Sequence, residues 1–529
     1  MPLFFDLVMT DLNINGKGFV GGISYALKKK ESNEETIKTS STASSLAVAY
    51  EAARNAVEFR SEHLIRQAAI VRILRRRLFL GQGSERLSKL LIRELIWARY
   101  LKEDSVAVSK ITKIQGKIDK YKLALELTED PKLTEWILNL AGCEIEESLV
   151  FNPYPQLLIN FTAQSLQPVI KILGEGDSDT KDIQVYIAVE RAFAKNSETY
   201  ISYHLLKALM PGWIEVCSDG VRELFPTLLQ IKNKIDNDLS YPLAPSVKAE
   251  VTKLSAPFNV IREIATRNPD RFLKEVTDEE LFDKWVKENL ENFYQENRSK
   301  MMRASTRSIV YIFLTKMIFG LALELPFDLF VGRTDYVALV INLLFPPTLM
   351  FLLNVKIGIP NDANTERILE KINNYLYGEK TSRVVEVGKI QKGTSIIERA
   401  FVIVYGILFI AVFAFVIWIL NLLHFNLVSQ IVFLFFLSVV SFFAYKVRSI
   451  SRDYVYAEEK EGFLSSLIDF FFLPVVRVGQ WLSVQISHLN ILGFVLDFII
   501  EAPLKAFLEV IEEWARFVRI KKEEIFTEG

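Results

Sequence analysis

Two stretches of this chain carry no charge for about 20 residues each: FVIVYGILFIAVFAFVIWIL, within 400–423, and LVSQIVFLFFLSVVSFFAY, within 427–446. At about 1.5 Å of rise per residue, each is long enough to cross a hydrocarbon layer about 30 Å thick. A buried helix of a soluble protein seldom stays apolar on every face for that length. Two less uniform apolar runs precede them, Ser308–Val331 and Asp335–Val355. The first carries Lys316, Glu324 and Asp328 and is interrupted by Pro326. The second contains Pro346 and Pro347. Together the four runs predict a four-span domain over 303–447, with a loop at 356–399.

The cations alternate with the turns. Arg303 and Arg307 precede the first run, and Gly332–Thr334 holds only Arg333. The 356–399 loop is rich in Lys and Arg, Asn421–Asn426 has none, and Lys446, Arg448 and Arg452 follow the last run. Basic residues stay on the cytoplasmic side, so this pattern predicts a multi-pass protein of a bacterial-type cytoplasmic (inner) membrane with both termini inside.

Outside the runs the chain reads as all-α. Residues 1–42 form an irregular arm and linker: Leu3–Ile14 suggests a strand or docking arm, and Asn15–Gly22 a glycine-rich turn. The turn matches neither GxxxxGK[ST] nor GxGxxG, so no nucleotide site is expected. Residues 43–302 predict a cytoplasmic helical domain. Its first helix, 43–80, sets Arg66, Arg72, Arg75, Arg76 and Arg77 among apolar residues. Such a helix docks on anionic lipid or an acidic partner, or else pairs its arginines internally, here with Glu51, Glu58, Glu62 and Glu85. Ser84 is the expected cap of a helix over Ser84–Lys102, and Gly116 weakens one over Ser105–Leu127. Asp130-Pro131 opens another. Pro226 splits Ser218–Asp236, Pro257 sits within Val247–Thr266, and Thr277 with Glu280 forms a capping box before the first run.

In the 356–399 loop one amphipathic helix is expected near Asp362–Leu376, then an extended piece at Val384–Ile390. Ser395 and Glu398 cap the third run. Residues 448–529 predict membrane-bound helices. Phe463–Val484 carries Asp469, Pro474 and Arg477 and reads as re-entrant or interfacial. From Leu489 onward a charged stripe opposes an apolar face that includes Trp514, which suits the cytoplasmic interface or packing against other helices.

Composition narrows the chemistry. A chain of 529 residues with net charge −1 suggests at least two domains and no general affinity for nucleic acid. Cys143 and Cys217 read as two reduced core thiols. The four histidines are dispersed, so no metal or cofactor is implied, and Asp6 argues against a secretory signal. The charges inside the runs are the sharpest feature, because an ionisable group exposed to lipid costs several kcal/mol. Lys316 and Glu324 stand about 12 Å apart along a straight helix, too far to pair, so Asp469 is the expected partner of Lys316. Glu324 and Asp328 beside Pro326 suggest a proton or cation path.

The expected function is a membrane-anchored scaffold whose cytoplasmic helices bind a protein partner or a second copy. The alternative is a channel or transporter lined by Lys316, Glu324, Asp328 and Asp469. A lipid-modifying enzyme is the third reading.

Overall fold

The structure is a computed structural model. It describes residues 12–28, 62–79, 83–102, 105–150, 152–173, 178–324, 326–327, 336–355, 360–378, 384–388, 396–456, 463–488 and 514. The predicted arm at Leu3–Ile14 lies almost wholly outside these residues, as do Glu51, Glu58, Asp328, Ser395 and the stripe beyond Leu489 apart from Trp514. The described chain is predominantly helical, as its helix-forming pattern predicts, and contacts divide it into two units.

The glycine-rich stretch is not a turn. It lies in α1, Ile14–Lys28. Asn13 caps this helix, its Oδ1 accepting from Gly16 N at 2.8 Å, and Phe19 and Val20 are buried. A Cβ on Gly16 would stand 2.7 Å from the Leu376 carbonyl oxygen, so glycine serves close packing here rather than a reversal.

One unit comprises Gly21–Gln167, Glu175–Lys248 and Ile491–Gly529. Its helices are α2 (Glu62–Phe79), α3 (Ser84–Trp97), α4 (Ser109–Glu126), α5 (Pro131–Leu149), α6 (Tyr154–Leu166), α7 (Ser178–Val189), α8 (Glu198–Leu209), α9 (Pro211–Glu215) and α10 (Val221–Leu239). The hub is α5, which packs against α2, α4 and α8. Ile70, Leu91, Ile137, Ile201 and Trp213 form part of a continuous core. The start of α5 follows from local chemistry: Asp130 accepts from Lys132 N at 3.0 Å, and Pro131 lacks only an amide that the first turn leaves free anyway. Three expectations need correction. Gly83, not Ser84, is the N-cap of α3, α4 runs unbroken through Gly116, and α10 continues through Pro226. The last costs one backbone hydrogen bond near the start of a helix whose apolar face is buried. Cys143 is buried but Cys217 is exposed, so only one of the thiols belongs to the core.

The other unit comprises Met1–Val20, Pro168–Gly174 and Ala249–Asn490. Besides the start of α1, it holds the end of α11 (Ala244–Leu254), then α12 (Ala256–Arg267), α13 (Pro269–Glu275), α14 (Glu279–Phe319), α15 (Tyr336–Val355), α16 (Asp362–Leu376), α17 (Ile396–Leu422), α18 (Leu427–Ser451) and α19 (Phe463–His488). A two-stranded parallel pair joins β1 (Ile170–Ile172) to β2 (Val385–Val387), so the extended piece is there and finds a distant partner. Asp278, rather than Thr277, caps α14, accepting from Leu281 N at 3.1 Å. The predicted boundary at 302/303 falls inside this unbroken helix of 41 residues.

The first half of α14 packs with α12, α13 and α16. Around it Asn364 ties three segments together: its Nδ2 donates to Tyr294 Oη and to the Tyr454 carbonyl, both at 2.9 Å, and its Oδ1 accepts from Tyr456 N at 2.9 Å. The second half of α14 packs with α15 and α18, and α18 also carries α19. Among the described residues two helical segments are long and apolar enough to cross a membrane, Val402–Leu422 and Leu427–Val447, while Val340–Leu352 and Phe470–Ser483 are shorter apolar segments. The tight turn between α17 and α18 puts His424 in the left-handed region, with φ of 59°, and Asn426 caps α18.

Candidate functional site

Two ionisable residues of the first apolar run, Lys316 and Glu324, meet where the chain leaves the end of α14. Gly320–Glu324 is a π-turn. Its causes are adjacent in sequence: Gly320 is a weak helix former, and Pro326 supplies no amide to continue the ladder. Such turns recur at functional positions. Here it rearranges the end of the helix so that Glu324 reaches back to Lys316, helped by the tilt of side chains toward the helix N-terminus. Lys316 Nζ lies 2.7 Å from Glu324 Oε1, with the two side chains 1% and 3% exposed. The straight-helix estimate that kept them apart is therefore wrong, and Glu324 takes the place assigned to Asp469. The backbone of Asp469 lies on α19, and its side chain is outside the described residues.

Two more helices complete the cluster. Asn342 of α15 donates from Nδ2 to Glu324 Oε2 at 2.6 Å. Phe436 of α18 sets its ring 4.9 Å from the Lys316 ammonium, within cation–π range. Asn342 is 1% exposed, and among the described residues its Oδ1 has no hydrogen-bond partner. The cluster thus joins a charge pair to one spare acceptor, which is chemistry suited to a proton, a small cation or a water. Asn342 was missed in the sequence, although a lone amide within the run VALVINLLF was its signal. The paired prolines of α15 do not break that helix, and Pro346 is itself buried.

The arginines of α2 are engaged within their own unit. Arg66 Nε donates to Glu146 Oε1 at 2.9 Å, Arg76 reaches Glu94 at 2.6 Å, and Arg77 Nε donates to the same carboxylate at 2.8 Å. Arg75 pairs with Glu135 on the surface, and Arg72 is half-buried. Glu85 pairs instead with Lys89. These cations hold helices together before they can meet a partner. Trp514 is exposed.

The same unit contains polar clusters that sequence reasoning did not find. Along α5 each buried carboxylate takes a cation and a tyrosine hydroxyl. Glu144 holds Lys120 at 2.7 Å and Tyr121 at 2.6 Å, and Glu146 holds Arg66 and Tyr200, each at 2.9 Å. Glu147, which is exposed, likewise holds Lys207 and Tyr203. Burial pulls the Lys120 ammonium below its ordinary value against the opposing pull of Glu144.

A second π-turn, Glu190–Ala194, follows α7. Glu190 accepts from His204 Nδ1 at 2.6 Å and from Asn196 Nδ2 at 2.5 Å, while Asn196 Oδ1 lies 2.9 Å from His63 Nε2. Two histidines far apart in sequence therefore share one network. Burial alone would raise the Glu190 carboxyl, but hydrogen bonds from His204, Asn196 and Tyr186, with the His204 charge, outweigh it and hold the pKa below the ordinary value. Glu147 is shifted the same way. A depressed folded-state pKa contributes stability above the unfolded value, about 4.3, that is lost as pH falls through the folded value. Acid titration of the full-length protein in detergent, followed by tryptophan fluorescence, is therefore expected to unfold this unit below about pH 4. Glu190→Gln flattens that acid limb, and an unchanged limb would refute the assignment.

No group of three or more His, Cys, Asp or Glu placed to hold a metal occurs among the described residues. No protein-family model, curated protein or solved structure matches the chain.

Proposed function

We propose that this protein is a membrane-anchored docking protein that presents its helical units at the cytoplasmic face of the inner membrane. The observation that carries this reading is the unbroken α14. Its first half is built into a water-soluble layer through Phe282, Trp285, Val286 and Leu290, all buried, and its second half enters the apolar bundle. A continuous helix about 60 Å long transmits position and force without a flexible joint, as an anchor requires. On this reading α15, α17 and α18 supply the other crossings, both termini are cytoplasmic, and a protein partner or a second copy binds the cytoplasmic helices. Arg66, Arg76 and Arg77 brace that surface from within, while Arg75 lies on it beside Glu135.

A channel or transporter is the second reading, favoured by the Lys316–Glu324–Asn342 cluster and its spare acceptor. The test is cross-linking in intact membranes, gentle purification of the full-length protein, and mass spectrometry. A stoichiometric protein cross-linked to residues of 62–248 is the expected result. A partnerless protein that conducts protons or cations in liposomes, with conduction abolished by Glu324→Gln, overturns the docking reading and establishes the second.

A further inference from the structure

Along α14, Lys300, Arg303, Arg307, Tyr311, Leu314 and Ile318 follow one another at steps of three and four and so lie on one face. All six are exposed, Tyr311 to 67%, Leu314 to 47% and Ile318 to 60%. The opposite stripe, Met301, Ser305, Ile312 and Lys316, is buried. From Asn297 to Leu323 the chain has no acidic residue. Among the described residues, neither Arg303 nor Arg307 is held in an ion pair.

The exposed face changes character along its length, from three cations through one tyrosine to aliphatic side chains. Whatever covers it must be anionic over the first two turns and hydrocarbon over the next two. An acidic protein segment satisfies only the first condition, and a zwitterionic lipid only the second. We infer that this face is a binding site for an anionic phospholipid of the cytoplasmic leaflet. Its phosphate sits at Arg303 and Arg307, and an acyl chain runs along Tyr311, Leu314 and Ile318.

The inference rests on the membrane reading proposed above. On that topology α18 runs antiparallel to α14. Stepping nine residues from the Lys316–Phe436 contact, back to Arg307 and forward to Tyr445, covers about 14 Å on both helices. Tyr445 is 53% exposed, and exposed Lys446 follows it, so both helices carry a tyrosine and a cation near one depth. That is the composition of a membrane–water interface.

The experiment places the purified full-length protein in phosphatidylcholine vesicles with and without phosphatidylglycerol, then counts retained lipids by native mass spectrometry. Phosphatidylglycerol is expected to be retained in preference to phosphatidylcholine. Each cation near the surface contributes about 1 kcal/mol, so Arg303→Gln with Arg307→Gln reduces the preference about thirtyfold. Arg298 lies on the other side of the helix, and Arg298→Gln removes the same single charge as Arg303→Gln alone without affecting the preference. Equal retention of the two lipids by the unsubstituted protein overturns the site. So does an Arg298→Gln loss as large as that of Arg303→Gln, because net charge alone would then explain binding. Failure to insert into vesicles of either composition overturns the membrane reading itself, a distinct result.

Discussion

Lys316→Met is expected to destabilise the bundle by roughly 3–5 kcal/mol, and Lys316→Met combined with Glu324→Gln to recover most of that loss. The first change leaves the Glu324 carboxylate among apolar helices with, among the described residues, the Asn342 amide alone to serve it. A buried charge without its partner forfeits the attraction that offset its desolvation, or takes a proton at comparable cost. Glu324→Gln alone leaves the ammonium with the Phe436 ring, which offsets about 0.5–2 kcal/mol. The amide bond kept by Glu324 in the other variant offsets a similar amount, so the two single variants should lose about equally. The double variant removes both charges, and neutral replacements of buried pairs are often tolerated. The measurement is a thermal melt of the detergent-solubilised protein, read by the fraction that stays monodisperse, with Lys316→Glu/Glu324→Lys as the charge-reversed control. If Lys316→Met melts with the unsubstituted protein, the pair is not a structural tie. If the double variant is no better than either single one, the two residues do not act through each other. The stable double variant is also the protein in which the transport reading can be tested without confusing lost flux with lost fold.

That pair also marks the limit of what the sequence discloses. Local chemistry was legible. Asp130-Pro131 opens α5, and the loop helix has the bounds its periodicity predicts, Asp362–Leu376. The uncharged runs appear as α17 and α18, with α18 starting at the predicted Leu427. What failed depended on contacts far along the chain. Glycines at 15–22 read as a turn because nothing local reveals that Gly16 lies against Leu376. Pro226 reads as a break, yet it sits inside α10, as Pro346 sits inside α15 and Pro474 inside α19. The distance between Lys316 and Glu324 was computed for a straight helix, and a single π-turn invalidates it. The network of His63, Asn196, Glu190 and His204 has no spacing signature, because only the packing of α2 and α8 around α5 brings its members together.

Gly479→Leu is expected to separate α19 from α18, and Gly479→Ala to do so in part. A Cβ at this position would fall on the Ser438 carbonyl group, 2.6 Å from its carbon, and 2.8 Å from the Phe442 Cβ. Two of these three atoms are backbone and cannot rotate away, so the helices must move apart. On the membrane reading proposed above, helix association depends on close packing rather than on burial from water, and small residues at the contact permit it. Ser438 and Ser441 are both buried on α18, and α19 makes the most extensive helix contact in the bundle there. Separation would forfeit that interface and expose two serine hydroxyls that have no hydrogen-bond partner among the described residues. The cost of the larger residue should exceed the ~1–3 kcal/mol typical of overpacking in a core that can relax, because backbone is the obstacle. The check is a cysteine pair introduced across α18 and α19, cross-linked in membranes with and without Gly479→Leu. Loss of the cross-link, with α14–α15 cross-linking retained, is the expected outcome. Full cross-linking in the leucine variant would mean that α19 does not rest on α18 through Gly479. The segment 463–488 would then have to be placed as an independent surface helix, as its interrupted apolarity first suggested.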